Sequence, residues 1–354
     1  MKLDMYNSLD DMKNIENLDR GCMLKNLEKF PKRCRNAIKN ADKLVLGIQD
    51  RKYSSVIVAG LGGSAIGGHL IRDWLYGILS IPVNICSGYH LPKFVNHESL
   101  VFIVSYSGDT EETISMFNEA LRAGCRIISV TSGGKLGQLS RENNIPLLIL
   151  PSGVKPRAAL PDQFFSIVTI MRRLGLFEEE WSELEELLPI LDDIKKELSP
   201  QIPTELNEAK KLALKLKDVI PFIFGSIVFR GAAYRFCTQL NENSKSPSSW
   251  SFFPEAFHNA IRLREGRKKL RKNISVVIIK DESETLPLKT RIDGFQELLE
   301  DHIGDVLEVY AKGNSTLSKI FSVIYKIDYI TTYLGLLYGL DPSSNDSIDI
   351  LKKL

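Results

Sequence analysis

The amino-acid sequence predicts an α/β protein made of two doubly wound parallel sheets, with a helical segment at its N-terminus. Its 354 residues exceed the usual size of one domain, which favours two. Continuously apolar runs of strand length alternate with helical patterns, as is typical of parallel strands covered on both faces. Glycine- and serine-rich turns follow most of the early strands. We place the boundary near residue 155, which gives domains 1–155 and 156–354.

The first predicted domain begins with helices and then takes up a strand, turn, helix rhythm. Residues 8–50 carry apolar side chains at roughly helical spacing. The run at 56–59 is β-branched and apolar, so it is predicted as the first buried strand. A helix follows the third strand at 111–123. The remaining strands of this domain are predicted at 82–86, 100–104, 126–131 and 146–150.

The second predicted domain repeats the same rhythm after a helical stretch. Its helices are expected at 163–174, 178–198, 205–217, 228–240, 285–301 and 315–338, and its strands at 219–224, 274–280 and 306–310. Residues 242–271 show no clean periodicity. We therefore predict that they form a loop-rich insertion, and an insertion of that kind is where functional residues are often found.

The turn after the first strand is the clearest candidate binding site. This turn contains three glycines, Gly60, Gly62 and Gly63, which allow the backbone to adopt tight or left-handed conformations. Ser64 stands near the cap position of the helix that is predicted to follow. Free N–H groups and the positive end of a helix dipole make such a turn an anion site. Gly60, Gly62 and Ala65 also satisfy a dinucleotide pattern, but the next strand ends without the acidic residue that would bind a ribose. A small phosphorylated ligand is favoured over NAD, and a purely structural turn remains an alternative.

Bulk composition excludes several classes of protein. With 46 basic and 44 acidic residues the net charge is +2, too balanced for a nucleic-acid-binding surface. The five cysteines show no CxxC spacing and the five histidines no metal-ligand spacing, so we expect neither disulfides nor a metal. The polar N-terminus and the lack of an apolar run of about 18 residues predict neither a signal peptide nor a membrane span. We expect a soluble, cytoplasmic protein.

Four side chains outside the glycine-rich turn could carry chemistry. Glu242 ends a predicted helix beside amides, a hydroxyl and an ammonium, where a carboxylate can act as a general base. His258 is flanked by aromatic residues, and Arg157 follows a strand-end turn where a guanidinium could meet an oxyanion. Lys352 lies in the C-terminal tail. Read alone, each has a plainer alternative: a solvated carboxylate, a structural histidine, a surface arginine and a tail lysine.

Several motifs together resemble a known family. The run GLGGSAIGG at 60–68, followed by SYSGDTEET at 105–113, resembles the sugar isomerase (SIS) domain. With PSGVKPRAALPDQFF, NENSK, PEAFHNAI and the Ile-x-x-Leu-Lys tail in this order, the chain resembles the bifunctional phosphoglucose/phosphomannose isomerases from about residue 20 to its end. The resemblance implies two flavodoxin-like SIS domains in a homodimer that needs no cofactor or metal. It also implies sugar phosphates as ligands, with neither nucleic acid nor membrane as a partner.

The resemblance also implies roles for individual residues. Glu242 corresponds to the catalytic base, and His258 to a ring-opening histidine that relatives receive from the partner subunit. Arg157 corresponds to the arginine near the enediolate, and Lys352 to the C-terminal lysine of the site. The implied phosphate site comprises Gly62, Gly63, Ser64, Ser105, Ser107 and Thr110. Two positions depart from the family pattern: Ala260 replaces a common glutamate, and His69 stands where aspartate is usual.

The expected reaction is the reversible isomerisation of glucose-6-phosphate to fructose-6-phosphate, with mannose-6-phosphate as a second substrate. A proton would move between C1 and C2 through a cis-enediolate, which one carboxylate can accept and return. A non-catalytic SIS regulator is the alternative, and it would be expected to carry a DNA-binding module. A relative of glucosamine-6-phosphate synthase would need a glutamine amidotransferase domain. We expect neither module in this sequence.

Overall fold

A computed structural model describes residues 8–47 and 52–351 of the chain. These residues form two compact units. The first unit comprises residues 29–182, and the second comprises 183–351 together with 8–28. The division therefore falls after residue 182 and differs from the boundary expected near residue 155. The physical reason is that the helix following residue 159 packs against helices of the first unit, so its residues belong to that core.

The N-terminal segment is helical, as predicted. It contains α1 (Met12–Leu18), α2 (Met23–Glu28) and α3 (Phe30–Ala41), of which α3 belongs to the first unit. The carboxylate of Asp19 accepts hydrogen bonds from the N–H groups of Met23, at 2.7 Å, and Leu24, at 2.9 Å. These bonds satisfy donors that the first turn of a helix leaves without intrahelical partners, and so explain why α2 starts where it does.

The first unit is built on a five-stranded parallel sheet in the order β2-β1-β3-β4-β5. All residues of β1 and β3 are buried, which explains their continuously apolar sequences. The doubly wound topology and the predicted strands are confirmed. The strands are β1 (Ser55–Ala59), β2 (Val83–Cys86), β3 (Ser99–Val104), β4 (Arg126–Thr131) and β5 (Leu147–Ile149), and the helices that follow α3 are α4 (Ile66–Trp74), α5 (Glu111–Arg122), α6 (Gly134–Glu142) and α7 (Leu160–Arg173).

The second unit contains a four-stranded parallel sheet in the order β7-β6-β8-β9. The expectation that 242–271 is loop-rich was wrong in part, because these residues include an edge strand and two short helices. The four-residue strand Ser249–Phe252 is only half buried, too short and too mixed for a periodic signal. The strands are β6 (Ile220–Gly225), β7 (Ser249–Phe252), β8 (Ile274–Lys280) and β9 (Val306–Tyr310), and the helices are α8 (Glu183–Leu198), α9 (Glu208–Lys215), α10 (Arg230–Ser244), α11 (Ala256–Asn259), α12 (Lys268–Arg271), α13 (Leu286–Glu300), α14 (Thr316–Leu337) and α15 (Asp346–Leu351).

Helix α14 is the core of the second unit. By length and composition alone it could cross a membrane, which the sequence had not predicted for any segment, but 94% of its most apolar window is buried. Its tyrosines are bonded inside the same unit. Tyr325 Oη donates to the carbonyl of Leu27 and Tyr333 Oη to the carbonyl of Leu198, each at 2.6 Å. The helix is thus buried among its own neighbours.

The N-terminus of α14 is held by a carboxylate from α8. Glu186 accepts hydrogen bonds from the N–H groups of Asn314, at 2.6 Å, and Ser315, at 2.8 Å. Partial burial opposes ionisation, but the bonds from these two residues, with a further one from the side chain of Ser318, outweigh it and lower the pKa of Glu186 from 4.5 to about 2. Because the folded pKa lies below the unfolded one, the stabilisation is present above pH 4.5 and is lost as pH falls towards 2.

We therefore expect Glu186→Gln to lower the free energy of unfolding at pH 7 by about 1–2 kcal/mol, allowing for solvent screening of a half-exposed group. The deficit should shrink as pH falls from 4.5 towards 2, because wild-type Glu186 then becomes protonated too. Urea unfolding of both proteins at pH 7, 5 and 3 measures this. A deficit that is the same at all three pH values would contradict the assignment.

Candidate active site

The two loops predicted to bind phosphate meet in the first unit. Strands β1 and β3 are neighbours in the sheet although β2 lies between them in sequence, so the strand order reverses there and ligands are expected beyond the strand ends. The loops after these strands are joined by a hydrogen bond, in which the buried hydroxyl of Ser64 accepts from the N–H of Tyr106 at 3.2 Å. Gly60 permits the close approach, since a Cβ there would lie 2.7 Å from the carbonyl oxygen of Val104.

The loop after β3 presents hydroxyls at the start of α5. Ser105 Oγ lies 3.0 Å from Thr110 Oγ1 and accepts the N–H of Gly108 at 3.1 Å. Ser107 is exposed, and its hydroxyl accepts the N–H of Asp109 at 3.3 Å. Thr110 precedes α5 without a side-chain cap, so it leaves the first N–H groups of that helix to another acceptor. Amides and hydroxyls at a helix N-terminus suit an anion such as phosphate.

Gly108 allows this loop to close against the next one. Its φ is +81°, and an added Cβ would lie less than 3.0 Å from the backbone of Gly133 and Gly134. Gly108→Ala should displace the loop and raise the Kd for fructose-6-phosphate about tenfold, equivalent to about 1.4 kcal/mol, measured by calorimetry. Gly175→Ala is the matched control, because its φ is +73° but no heavy atom lies within 4 Å of the added group. Unchanged affinity in Gly108→Ala would contradict the loop's role.

Arg157 lies against the turn that carries Ser64. It belongs to the short 3₁₀ segment Pro156–Ala159, and a Cβ on Gly63 would come within 2.8 Å of the Arg157 nitrogen. Its side chain is 1% exposed, so it is not a solvated surface arginine. Arg33 secures the segment, because its guanidinium donates to the carbonyl of Ala158 at 2.7 Å and pairs with Asp162. The structure therefore brings Arg157 together with the predicted phosphate loops.

Glu242 lies near the C-terminus of α10 in the second unit and is partly exposed. The helix ends at Ser244, and the next residue, Lys245, has a φ of +56°. The ammonium of Lys245 donates to the carbonyl oxygens of Glu242, at 2.6 Å, and Ser344, at 2.9 Å. Lysine near a helix C-terminus satisfies carbonyls that have lost their helical partners. The lysine of the NENSK motif thus terminates the helix. On the same helix, burial raises the pKa of Tyr234, with smaller contributions from Cys237 and the charge of Glu242.

His258 is exposed on α11, and no side chain in 8–47 or 52–351 hydrogen-bonds or ion-pairs with its imidazole. The stacking of Phe257 on Phe253, at 4.7 Å between ring centroids, anchors this helix to the core. Helix α10 starts beyond the carboxyl end of β6, and its 15 residues run back about 22 Å towards the end of the sheet at which the parallel strand β7 starts. Glu242 therefore lies at the amino edge of the sheet, whereas His258 follows the carboxyl end of β7. One chain does not bring them together.

The remaining predicted positions are less informative. Lys352 lies outside the described residues, just after α15. Ala260 packs against the aromatic cluster around Phe253 and Phe295, so its apolar side chain suits its surroundings. His69 is half buried on α4. Neither departure from the family pattern alters a residue with a predicted catalytic role.

Two supporting residues were missed in the sequence. Tyr106 Oη donates to the carbonyl of Pro151 at 2.9 Å and accepts the N–H of Val154 at 3.2 Å, which ties the second loop to the segment before Arg157. Its position between Ser105 and Ser107 was a usable signal. Arg33 gave none, since it stands among other basic residues of an amphipathic helix.

The corresponding edge of the second unit is acidic. A cavity of about 400 Å³ beyond β8 is lined by carboxylates that include Asp281, Glu282 and Glu284. Two nearby lysines are paired, Lys280 with Asp293 at 2.7 Å and Lys319 with Asp281 at 3.1 Å, and the exposed Lys289 is outnumbered by the carboxylates of the lining. Negative charge repels phosphate, so the repeated topology does not repeat the anion site. In the part of the chain that the structure describes, no group of three or more His, Cys, Asp or Glu side chains could hold a metal.

Comparison with known proteins extends these observations. A family model described as the bacterial phospho-glucose isomerase C-terminal SIS domain matches residues 205–354. A protein of Caldicellulosiruptor bescii named bifunctional phosphoglucose/phosphomannose isomerase is 35% identical over 331 residues, 93% of this chain and 98% of that protein. One of the same name from Aquifex aeolicus is 30% identical and covers 85% of this chain and 90% of its own.

A solved structure supports the fold. A hypothetical protein from Thermus thermophilus superposes with a TM-score of 0.73 over 94% of this chain and 89% of that chain, at 14% identity. This likeness shows a shared architecture, while the identity with the bifunctional isomerases extends through both units. The chain belongs to the bifunctional phosphoglucose/phosphomannose isomerase family.

Proposed function

We propose that this protein interconverts glucose-6-phosphate and fructose-6-phosphate, and also mannose-6-phosphate and fructose-6-phosphate. The observation that carries the proposal is the hydrogen bond between Ser64 and Tyr106, because it joins two hydroxyl-rich loops into one anion site at the strand-order switch of the first unit. Membership of the isomerase family supports the choice of reaction. Ser64, Ser105, Ser107 and Thr110, with the turn at Gly62 and Gly63, bind the phosphate in this proposal.

The proposed chemistry is a proton transfer between neighbouring carbons. The carboxylate of Glu242 removes the proton from C2 of the open-chain aldose, and the C1 carbonyl oxygen takes up negative charge and then a proton. The Glu242 carboxyl then delivers its proton to C1. The C2 hydroxyl loses its proton and becomes the carbonyl of the ketose. Arg157 stabilises the enediolate oxygens. Glucose and mannose phosphates share this intermediate because they differ only at C2.

The proposed site uses two subunits. The placement of Glu242 and His258 at opposite edges of one sheet supports this, since a single chain keeps them apart. In a symmetric dimer, the partner subunit's His258 can serve Glu242 of the first chain, and the reverse holds by symmetry. There it opens the sugar ring by proton transfer at the ring oxygen, together with Lys352. We propose a homodimer on these grounds.

A turnover assay tests the proposal. Purified protein is given fructose-6-phosphate with EDTA, and glucose-6-phosphate and mannose-6-phosphate are measured over time. We expect both products. Binding without turnover would favour the non-catalytic sugar-phosphate sensor, and the absence of glucose-6-phosphate and mannose-6-phosphate alike would defeat the enzyme assignment.

A further inference from the structure

A polar seam joins two buried helices behind Glu242. Three side chains of α10, spaced four residues apart, face one side of α14, and both helices run in the same direction. The α10–α14 seam consists of Arg235, Gln239 and Asn243 on α10 and of Asp328, Thr331 and Gly335 on α14. From its first to its last residue the seam covers eight residues of α10, about 12 Å, and seven residues of α14, about 10.5 Å. The two helices are therefore in contact over similar lengths.

One end of the seam is a buried ion pair. Arg235 Nε lies 2.9 Å from Asp328 Oδ1, and its terminal nitrogen lies 2.8 Å from Oδ2. Each residue is 2% exposed, and Gln239 donates to the same Oδ1 at 3.2 Å. Because a guanidinium and a carboxylate that share two contacts favour a coplanar arrangement, this pair restricts both the rotation and the axial position of α10 against α14.

The other end of the seam lies one residue from Glu242. Asn243 Nδ2 donates to Thr331 Oγ1 at 3.0 Å, and Asn243 is 1% exposed. A Cβ on Gly335 would lie less than 3.0 Å from the carbonyl oxygen of Asn243, so the two backbones are in direct contact there. The backbone that carries Glu242 is therefore held both along and across the helix axis.

Polar contacts of this kind fix the relative position of two helices more than they raise the free energy of unfolding. A buried ion pair contributes little compared with well-packed apolar residues of similar volume, because removing two charges from water is costly. Proton transfer, in contrast, is sensitive to position, and a misplacement of about 1 Å can lower a rate about 10²-fold. We propose that Arg235, Asp328, Asn243 and Thr331 are positioning residues that hold the Glu242 carboxylate where it reaches the substrate carbons. This rests on the proposed function.

The test replaces the ion pair as a unit. The Arg235→Met/Asp328→Leu double variant should fold, since no charge is left unpaired. Its melting temperature should fall only modestly, because Gln239 loses the acceptor that Asp328 provided. We expect its kcat for fructose-6-phosphate to fall about tenfold or more while its KM stays within twofold, because the phosphate loops belong to the other unit. The isotope effect with C2-deuterated glucose-6-phosphate should rise as proton transfer becomes slower.

A control and a second variant complete the test. Lys326→Met removes another buried charge from α14, one that donates to the Tyr310 carbonyl at 2.8 Å and not to α10, so it should lower the melting temperature and leave kcat unchanged. Thr331→Val makes a smaller change, removes the acceptor of Asn243 and should lower kcat several-fold, so it carries the test even if the double variant does not fold. Unchanged kcat in a folded seam variant overturns the inference. An inactive wild type defeats the proposed function instead.

Discussion

Glu242→Gln should lower kcat for fructose-6-phosphate by about 10² or more and change KM little, because an amide has the shape of the carboxylate but cannot take a proton. Lys245 contacts the backbone carbonyl of Glu242, so the replacement leaves that helix cap in place. Steady-state kinetics in both directions measures the effect. Isomerisation and C2 proton exchange should fall together, since both need the base.

Glu300→Gln is the matched control. Glu300 is an exposed glutamate at the end of α13 in the same unit, where its carboxylate accepts from Gln296 at 3.0 Å. We expect wild-type kinetics from it. A Glu242→Gln protein with activity close to wild type would remove Glu242 from the mechanism and leave the phosphate site unaffected.

Mixed dimers of Glu242→Gln and His258→Ala chains should regain activity that neither homodimer has. In a mixed dimer one site contains both intact groups and the other contains neither. Random pairing makes half of all dimers mixed, so about a quarter of wild-type activity should return in the unfractionated pool. In the isolated mixed dimers one site of two is intact, and about half of wild-type activity per dimer should return. Co-expression of differently tagged chains, followed by an assay of the doubly purified dimer, measures this. No recovery in such dimers would show that the two groups do not come from different subunits.

The fold of the first unit was readable because its strands are buried on both faces. Runs such as Ser99–Val104 are continuously apolar and are punctuated by glycine and serine, so their ends were found to within a residue or two. The strand Ser249–Phe252 was missed because a half-buried edge strand of four residues has neither pattern. The boundary was misplaced because helix α7 is buried along most of its length, and sequence does not reveal against which core it packs.

The site was predictable only where its residues are close in sequence. The loops around Ser64 and Ser105 follow strands directly, and their polar residues marked them as binding loops. The bond between Ser64 and Tyr106 spans 42 residues, and that between Arg235 and Asp328 spans 93. Contacts at such separations leave no periodicity, because many other pairs of residues could satisfy the same side chains. The burial of Arg157 could not be predicted either, because it depends on contact with the distant turn at Gly63.

The difference between the two sheet edges has a consequence for stoichiometry. Two units of like topology would suggest two sugar phosphates per chain, one above each sheet. In the described residues, the first unit places Ser64, Ser105 and Thr110 around a helix N-terminus, whereas the cavity of the second unit is lined mainly by carboxylates such as Asp281, Glu282 and Glu284. Two lysines near these carboxylates are ion-paired. Although the α/β architecture occurs twice in each chain, only one of the two units is suited to bind phosphate. Each chain should therefore bind one sugar phosphate, and a dimer should bind two.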